Sequence, residues 1–167
     1  IDLADCILPY IKFEHPEFNR VLNEIRGTRI YETKGALQLS AVVNGFSYDF
    51  GLGGIHGACA GIYKSSHNHT IHSRDVASYY PNLAIKNKFF PEHLSEKFCE
   101  IYEDVYNQRK SHAKGTPENA AMKLALNGTY GDSNSVYSPF YDPKFTMSIT
   151  LSSQLLLYML AEQLVKI

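Results

Sequence analysis

The sequence predicts an α+β fold, an antiparallel sheet with packed helices and an αα-hairpin subdomain. Three observations lead there. Leu37, Leu39, Ala41 and Val43 alternate in the manner of a strand. Two helical patterns meet at Lys114-Gly115 and Thr116-Pro117. The run from Met147 to Ile167 has the leucine density of a buried helix.

Taken in order, residues 1–34 mix short apolar clusters with a helix over Pro16–Arg26, ended by Gly27. The strand pattern of 35–50 follows, punctuated by Gly45, Gly51, Gly53, Gly54 and Gly57 as turns. After the Ser/His-rich stretch KSSHNHTIHSR, the alternation from Ile71 to Ala77 predicts a further strand that carries Asp75 at its end, with Pro81 forcing the chain out of it. The sheet is therefore expected from the segments around 36 to 80. Pro91 opens a helix whose Leu94, Phe98, Ile101 and Val105 are spaced as one buried face. A threonine cap followed by proline starts a second helix over about 117–130, with Ala121, Leu124 and Ala125 expected to pack on the first. A loop with one short strand leads to Lys144 and the last helix. This divides the chain into 1–90, the hairpin 91–131 and the return 132–167.

Composition excludes several classes. Hydrophobic residues at 44%, charged residues at 20% and a net charge of -1 are ordinary for a globular chain and give no global signal for nucleic acid or membrane. Cys6, Cys59 and Cys99 form no CxxC pair, so neither a zinc cage nor a disulfide framework is indicated, and a reducing, cytoplasmic setting fits. The apolar run from Ile149 to Ala161 is shorter than the ~20 residues of a membrane span, so no membrane association is expected. The chain opens on Ile1 and stops at Ile167 inside a helical run, which suggests a piece of a longer polypeptide.

Within this frame a few residues stand out. Asp75, at a strand end, would suit a Mg²⁺ ligand, an ion usually held by one or two carboxylates plus phosphates and water. The plain alternative is an aspartate that ends a strand. Lys123, Asn127 and Tyr130 are spaced by four and then three residues and share one helix face, either a ligand stripe or a solvated one. With Arg109, Lys110 and Lys114 against the single acid Glu118, residues 105–131 carry a local charge of +3, a patch that attracts phosphates. The stretch KLALNGTYGDSNS admits two readings. Its second half could be a metal-binding hairpin lacking one carboxylate, its first a nucleotide-gripping helix.

DVASYYP, residues 75–81, resembles the D-x-x-S-L-Y-P element (motif A) of the family B DNA polymerases, and KLALNGTYG, residues 123–131, resembles their K-x-x-x-N-S-x-Y-G element (motif B). Both stand in the family's order with a helical hairpin between them, and the sequence looks most like the bacteriophage-encoded branch. The resemblance covers residues 51–163 and favours the first half of the quoted stretch. Tyr130-Gly131-Asp132 only mimics the family's motif C, since it follows a helix and Asn134 stands where a second carboxylate is needed.

The resemblance implies template-directed DNA synthesis, transfer of a deoxynucleotidyl group from a dNTP to a primer 3′-hydroxyl with two Mg²⁺ ions. Asp75 would be the catalytic metal ligand, joined by the Val76 carbonyl. Backbone amides of Ser78, Tyr79 and Tyr80 would receive the triphosphate, and Tyr80 would be the steric gate against a 2′-hydroxyl. Arg109 and Lys123 would grip the phosphates, and Asn127 would line the nucleotide pocket. Lys110, Lys114, Tyr130 and Gly131 would lie against primer-template DNA. The implied partners are primer-template DNA, dNTP and the rest of a polymerase chain, namely motif C, a thumb and, where the protein carries one, an exonuclease domain. A virus-encoded enzyme would work in the host-cell cytoplasm.

This chain departs from the pattern at Tyr79 for leucine, Asn82 for serine, Gly128 for serine and Ala113 for a second basic residue. Lacking motif C, it is expected to be inactive alone. Two other classes stay open: a noncatalytic nucleic-acid-binding or protein-interaction domain, and a metal-dependent nuclease using His67, His69 and His72 with Asp75.

Overall fold

A computed structural model describes residues 1–166. His15 and Pro16 start the first helix, α1 (Pro16–Arg26), where the His15 ring accepts from the Glu17 amide and proline occupies the first helical position. Phe18, Val21, Leu22 and Ile25 recur at helical spacing and are buried. Gly27 ends the helix, as its sequence position predicts.

Three strands follow, β1 (Gln38–Val43), β2 (Phe46–Gly51) and β3 (His56–Ala58), paired antiparallel in the order β1-β2-β3. Asn44 and Gly45 form the two-residue turn between β1 and β2, with φ of 52° and 77°. Positive φ at both positions is what a type I′ hairpin requires, and Asn-Gly meets it at least cost. Val43 pairs with Phe46 across this turn, so Ala41 and Val43 face inward together with Tyr48 and Phe50.

The sheet is smaller than expected, because it ends at Ala58. From Cys59 to Ser78 the chain forms no strand, and its one ladder contact is an isolated bridge between Ser66 and His69. The predicted strand at 71–77 is thus absent and Asp75 lies on irregular, exposed chain. Alternation cannot make a strand without a ladder to join. The break expected at Pro81 is instead a helix, α2 (Tyr79–Asn87), whose first turn tolerates proline because its amides lack intrahelical partners anyway.

Two helices form the hairpin, α3 (Lys97–Ser111) and α4 (Pro117–Asp132). Thr116 caps α4 by accepting from the Asn119 amide at 3.3 Å, and α4 runs two residues past its expected end. Pro91 does not open α3; a 3-10 turn at Glu92–Leu94 intervenes. The buried residues of α3 are Cys99 and Tyr102, while Ile101 is 58% exposed. Tyr102 faces α4 and donates to the Leu126 carbonyl at 2.6 Å, so the row Leu94, Phe98, Ile101, Val105 is turned partly toward an open groove of about 320 Å³. On α4 the buried residues are Asn119 and Leu126; Ala121, Leu124 and Ala125 are exposed, contrary to expectation. The segment from Ser133 to Asp142 carries no strand.

Helix α5 (Pro143–Leu164) runs through the middle and starts earlier than its apolar run suggests, since Asp142 accepts from the Phe145 amide and Pro143 takes the first helical position. The last residue of the predicted helix, Ile167, lies outside the described residues. Met147, Leu151, Leu155 and Tyr158 join the core formed with α1 and the sheet, while Phe145 and Ile149 join a second core with α2, α3 and α4. A helix covered on both sides buries polar residues too, and each finds a partner. Gln154 donates to the carbonyls of Gly51 and Gly53, both at 2.9 Å, tying α5 to the end of β2. Glu162 accepts from the amides of Glu14 at 3.0 Å and His15 at 2.7 Å, fixing the chain that enters α1. Among the described residues, no helix is long and apolar enough to cross a membrane.

Burial of phenols has a consequence for pH. Burial pushes Tyr79 up to about 12 and raises Tyr102, Tyr130 and Tyr158 above the ordinary tyrosine range. Unfolded phenols ionise near pH ~10. Above that pH the unfolded chain therefore binds fewer protons than the native one, and stability falls as pH rises. The loss is up to about 1.4 kcal/mol per pH unit for each phenol between its two values. Cys6 and Cys99, also raised by burial, begin the same trend at lower pH. Urea midpoints should decline gently from pH 8 and steeply above 10; equal midpoints at pH 8 and 11 would show that these phenols ionise freely in the native state.

Candidate functional site

A cavity of about 1030 Å³ opens between the start of α2, the ends of α3 and α4 that meet at the hairpin tip, and the middle of α5. It gathers Asp75, Ser78, Tyr79, Tyr80, Arg109, Lys110, Lys114, Lys123 and Asn127, residues drawn from positions 52 apart in sequence. Val76, Tyr130 and Gly131 are not among its lining residues, although Tyr130 stands directly behind one of them.

The floor is the N-terminus of α2. Ser78 sits there at φ 47°, ψ 51°, a left-handed conformation that costs a non-glycine residue of order 1 kcal/mol or more. Its hydroxyl makes no cap bond to its own helix and instead accepts from Arg109 Nη1 at 2.8 Å. The amides of Tyr79 and Tyr80 belong to the helix's first turn, where the backbone offers no intrahelical acceptor and the helix dipole favours an anion. Asn82 holds this turn in shape, donating to the carbonyls of Ala77 at 2.9 Å and Ser78 at 3.1 Å and to the Tyr106 hydroxyl at 3.3 Å.

Aromatic rings form one wall. Tyr79 donates to the Ser153 carbonyl at 2.8 Å, which anchors α2 to α5. The Tyr80 ring lies 4.5 Å from that of Tyr130, whose hydroxyl is bonded to Thr150 Oγ1 at 2.7 Å. The opposite wall is cationic. Lys110 Nζ lies 4.3 Å from the Tyr106 ring centroid, a cation–π contact that leaves its charge uncancelled. The Asn82 hydrogen bond and the nearby Lys110 charge lower the Tyr106 phenol from its ordinary range.

Charge decides what such a cavity accepts. Arg109, Lys110, Lys114 and Lys123 line it against the single carboxylate Asp75, and none of the five takes part in an ion pair among the described residues. Four uncompensated cations around a helix N-terminus favour a polyanion, since each would otherwise sit beside like charge. For a divalent cation the donor set is of the right kind and is incomplete. Asp75 is an exposed oxygen donor, but no other Asp or Glu lines the cavity. No group of three His, Cys, Asp or Glu that could hold a metal occurs among the described residues, so His67, His69, His72 and Asp75 do not come together.

Sequence reading missed Asn82, Tyr106, His112 and Asn119, all of which line the cavity or brace its turn. Asn82 had a faint signal, being the residue after the proline of DVASYYP. The others act through contacts between segments far apart in the chain, which leave no local pattern. Set against known proteins, the chain matches no protein-family model, no curated protein and no solved structure.

Proposed function

We propose that this chain is the palm-and-fingers part of a family B type DNA polymerase, and that the cavity receives the triphosphate of an incoming deoxynucleotide. The observation that carries the reading is the set of four unpaired cations, Arg109, Lys110, Lys114 and Lys123, facing the free N-terminus of α2. Its support in sequence is the pair of elements DVASYYP and KLALNGTYG, which supply the two sides of that one cavity.

On this reading the Tyr79 and Tyr80 amides donate to phosphate oxygens, Lys123 and Arg109 bind the phosphates from the facing hairpin, and the fork of Arg109 grips two oxygens at once. Asn127 lies where the sugar or base would rest, and Tyr80 lies under the sugar. Lys110 and Lys114, at the outer rim, meet the phosphates of primer-template DNA. Asp75, with the Val76 carbonyl, would hold part of a Mg²⁺ pair, whose chemistry when bound is to stabilise the attacking and leaving oxygens of the displacement. One carboxylate is half of such a site. The chain by itself therefore binds nucleotide and does not polymerise, and the second carboxylate comes from the rest of the polymerase.

A second reading, phosphate binding without chemistry, draws on the same excess of cations over acids. Both make the cavity a polyanion site, which calorimetric titration of the 167-residue chain with dATP and with dAMP in Mg²⁺ tests. We expect dATP to bind at least about tenfold tighter than dAMP, with an affinity that drops as salt is raised. Equal affinities, or no binding of either, would overturn the triphosphate assignment.

A further inference from the structure

We infer that Asn119 is a positioning residue that aims Arg109 at the triphosphate while leaving its charge intact, an inference that rests on the reading of the cavity as a triphosphate site. Asn119 is on α4, one turn in from the cap, and is 8% exposed. Its amide nitrogen donates to two carbonyls where α3 ends, that of Arg109 at 3.1 Å, which also accepts from the His112 amide at 3.2 Å, and that of His112 at 2.9 Å. With both donors committed there, the orientation of the amide has no freedom to flip. The side-chain oxygen is then the group turned toward Arg109, and it accepts from Arg109 Nε at 3.4 Å.

Arg109 is held a second time, by Nη1 to the Ser78 hydroxyl at 2.8 Å. Two contacts on one rigid plane fix the guanidinium's orientation, and its Nη2 has no acceptor among the described residues. Both acceptors are neutral. An acid in either place would hold Arg109 more tightly and cancel the charge that phosphate needs; an amide and a hydroxyl orient it without competing. Asn119 also closes the end of α3 onto the start of α4, so the same side chain sets the hairpin turn and the direction of its main phosphate ligand. Bulk packing cannot explain the choice, because an apolar residue here would leave the His112 carbonyl and the Arg109 Nε without their partner and the Arg109 carbonyl with only the His112 amide.

The test is a double-mutant cycle on the 167-residue chain, read by titration with dATP and dAMP in Mg²⁺. Arg109→Ala and Asn119→Ala should each weaken dATP by about tenfold while changing dAMP little, and the double variant should be no worse than Arg109→Ala alone. Asn119→Asp should weaken dATP at least as much as Asn119→Ala, because the new carboxylate pairs with Arg109. Effects that multiply in the double variant, or an equal loss for dATP and dAMP, would overturn the positioning role and leave the cavity assignment standing. A wild-type chain that does not prefer dATP overturns the cavity assignment, and the inference falls with it. Should the alanine variant fail to fold, exchange of the Arg109 Nε proton in the wild-type chain decides: protection relative to the exposed Arg74 supports the contact, and equal exchange overturns it.

Discussion

Asp75→Asn should abolish primer extension by a polypeptide that carries this chain together with the remaining polymerase elements, by at least about a thousandfold, or roughly 4 kcal/mol of transition-state stabilisation. The size follows from the charge distribution. Among the described residues Asp75 is the only carboxylate lining a cavity of four cations, so it is the one of them that could draw a divalent cation to the phosphates. An amide keeps the shape and an oxygen donor but loses the anionic charge that a hard cation needs. The same substitution should leave folding unchanged within about 0.5 kcal/mol, because Asp75 is exposed and has no hydrogen-bond or ion-pair partner among the described residues. Thermal melts of both proteins, run beside the extension assay, separate lost chemistry from lost structure. Equal extension by the two would remove Asp75 from the mechanism, and the absence of extension from the wild type would favour phosphate binding without chemistry.

Much of the fold was legible in local signals, and the failures share a cause. His15-Pro16, Asn44-Gly45 and Thr116-Pro117 each satisfy backbone groups within a few residues, so helix starts and the hairpin turn could be read directly. The strand expected at 71–77 depended on a neighbour that sequence alternation does not supply, and no described segment pairs with it. Helix α2 was hidden by its proline, which breaks a helix interior but is accommodated in a first turn. The burial of α3 was misjudged because its apolar row was assumed to be its contact row; Tyr102, with a hydroxyl that reaches the Leu126 carbonyl, is what faces α4. The site divides in the same way. Asp75, Ser78, Tyr79, Tyr80, Lys123 and Asn127 lie in two contiguous elements and Arg109, Lys110 and Lys114 in one basic run, whereas Asn119 and Asn82 work by hydrogen bonds to carbonyls and side chains of other segments.

Tyr80→Val should admit ribonucleotides, lowering discrimination against them by roughly 5- to 150-fold, the equivalent of the about 1–3 kcal/mol that an extra buried group costs in a filled site. Selection against a hydroxyl by exclusion needs a wall that does not yield, and the surroundings of Tyr80 provide one. Its ring rests 4.5 Å from Tyr130, and Tyr130 is itself fixed to α5 by a 2.7 Å hydrogen bond to Thr150. The Tyr79 ring also stacks with it at 6.1 Å, with its hydroxyl bonded to the Ser153 carbonyl. These two neighbours limit how far the ring can move away from a 2′-oxygen. Tyr80→Phe keeps the ring and should keep the discrimination, whereas Tyr130→Ala removes the brace and should give part of the Tyr80→Val effect with the gate residue untouched. Comparing kcat/KM for matched deoxy- and ribonucleotides across the three variants tests both claims. Discrimination retained in Tyr80→Val would mean that the sugar lies elsewhere in the cavity. Discrimination lost in Tyr80→Phe would mean that the hydroxyl of Tyr80, and not the bulk of its ring, reads the sugar.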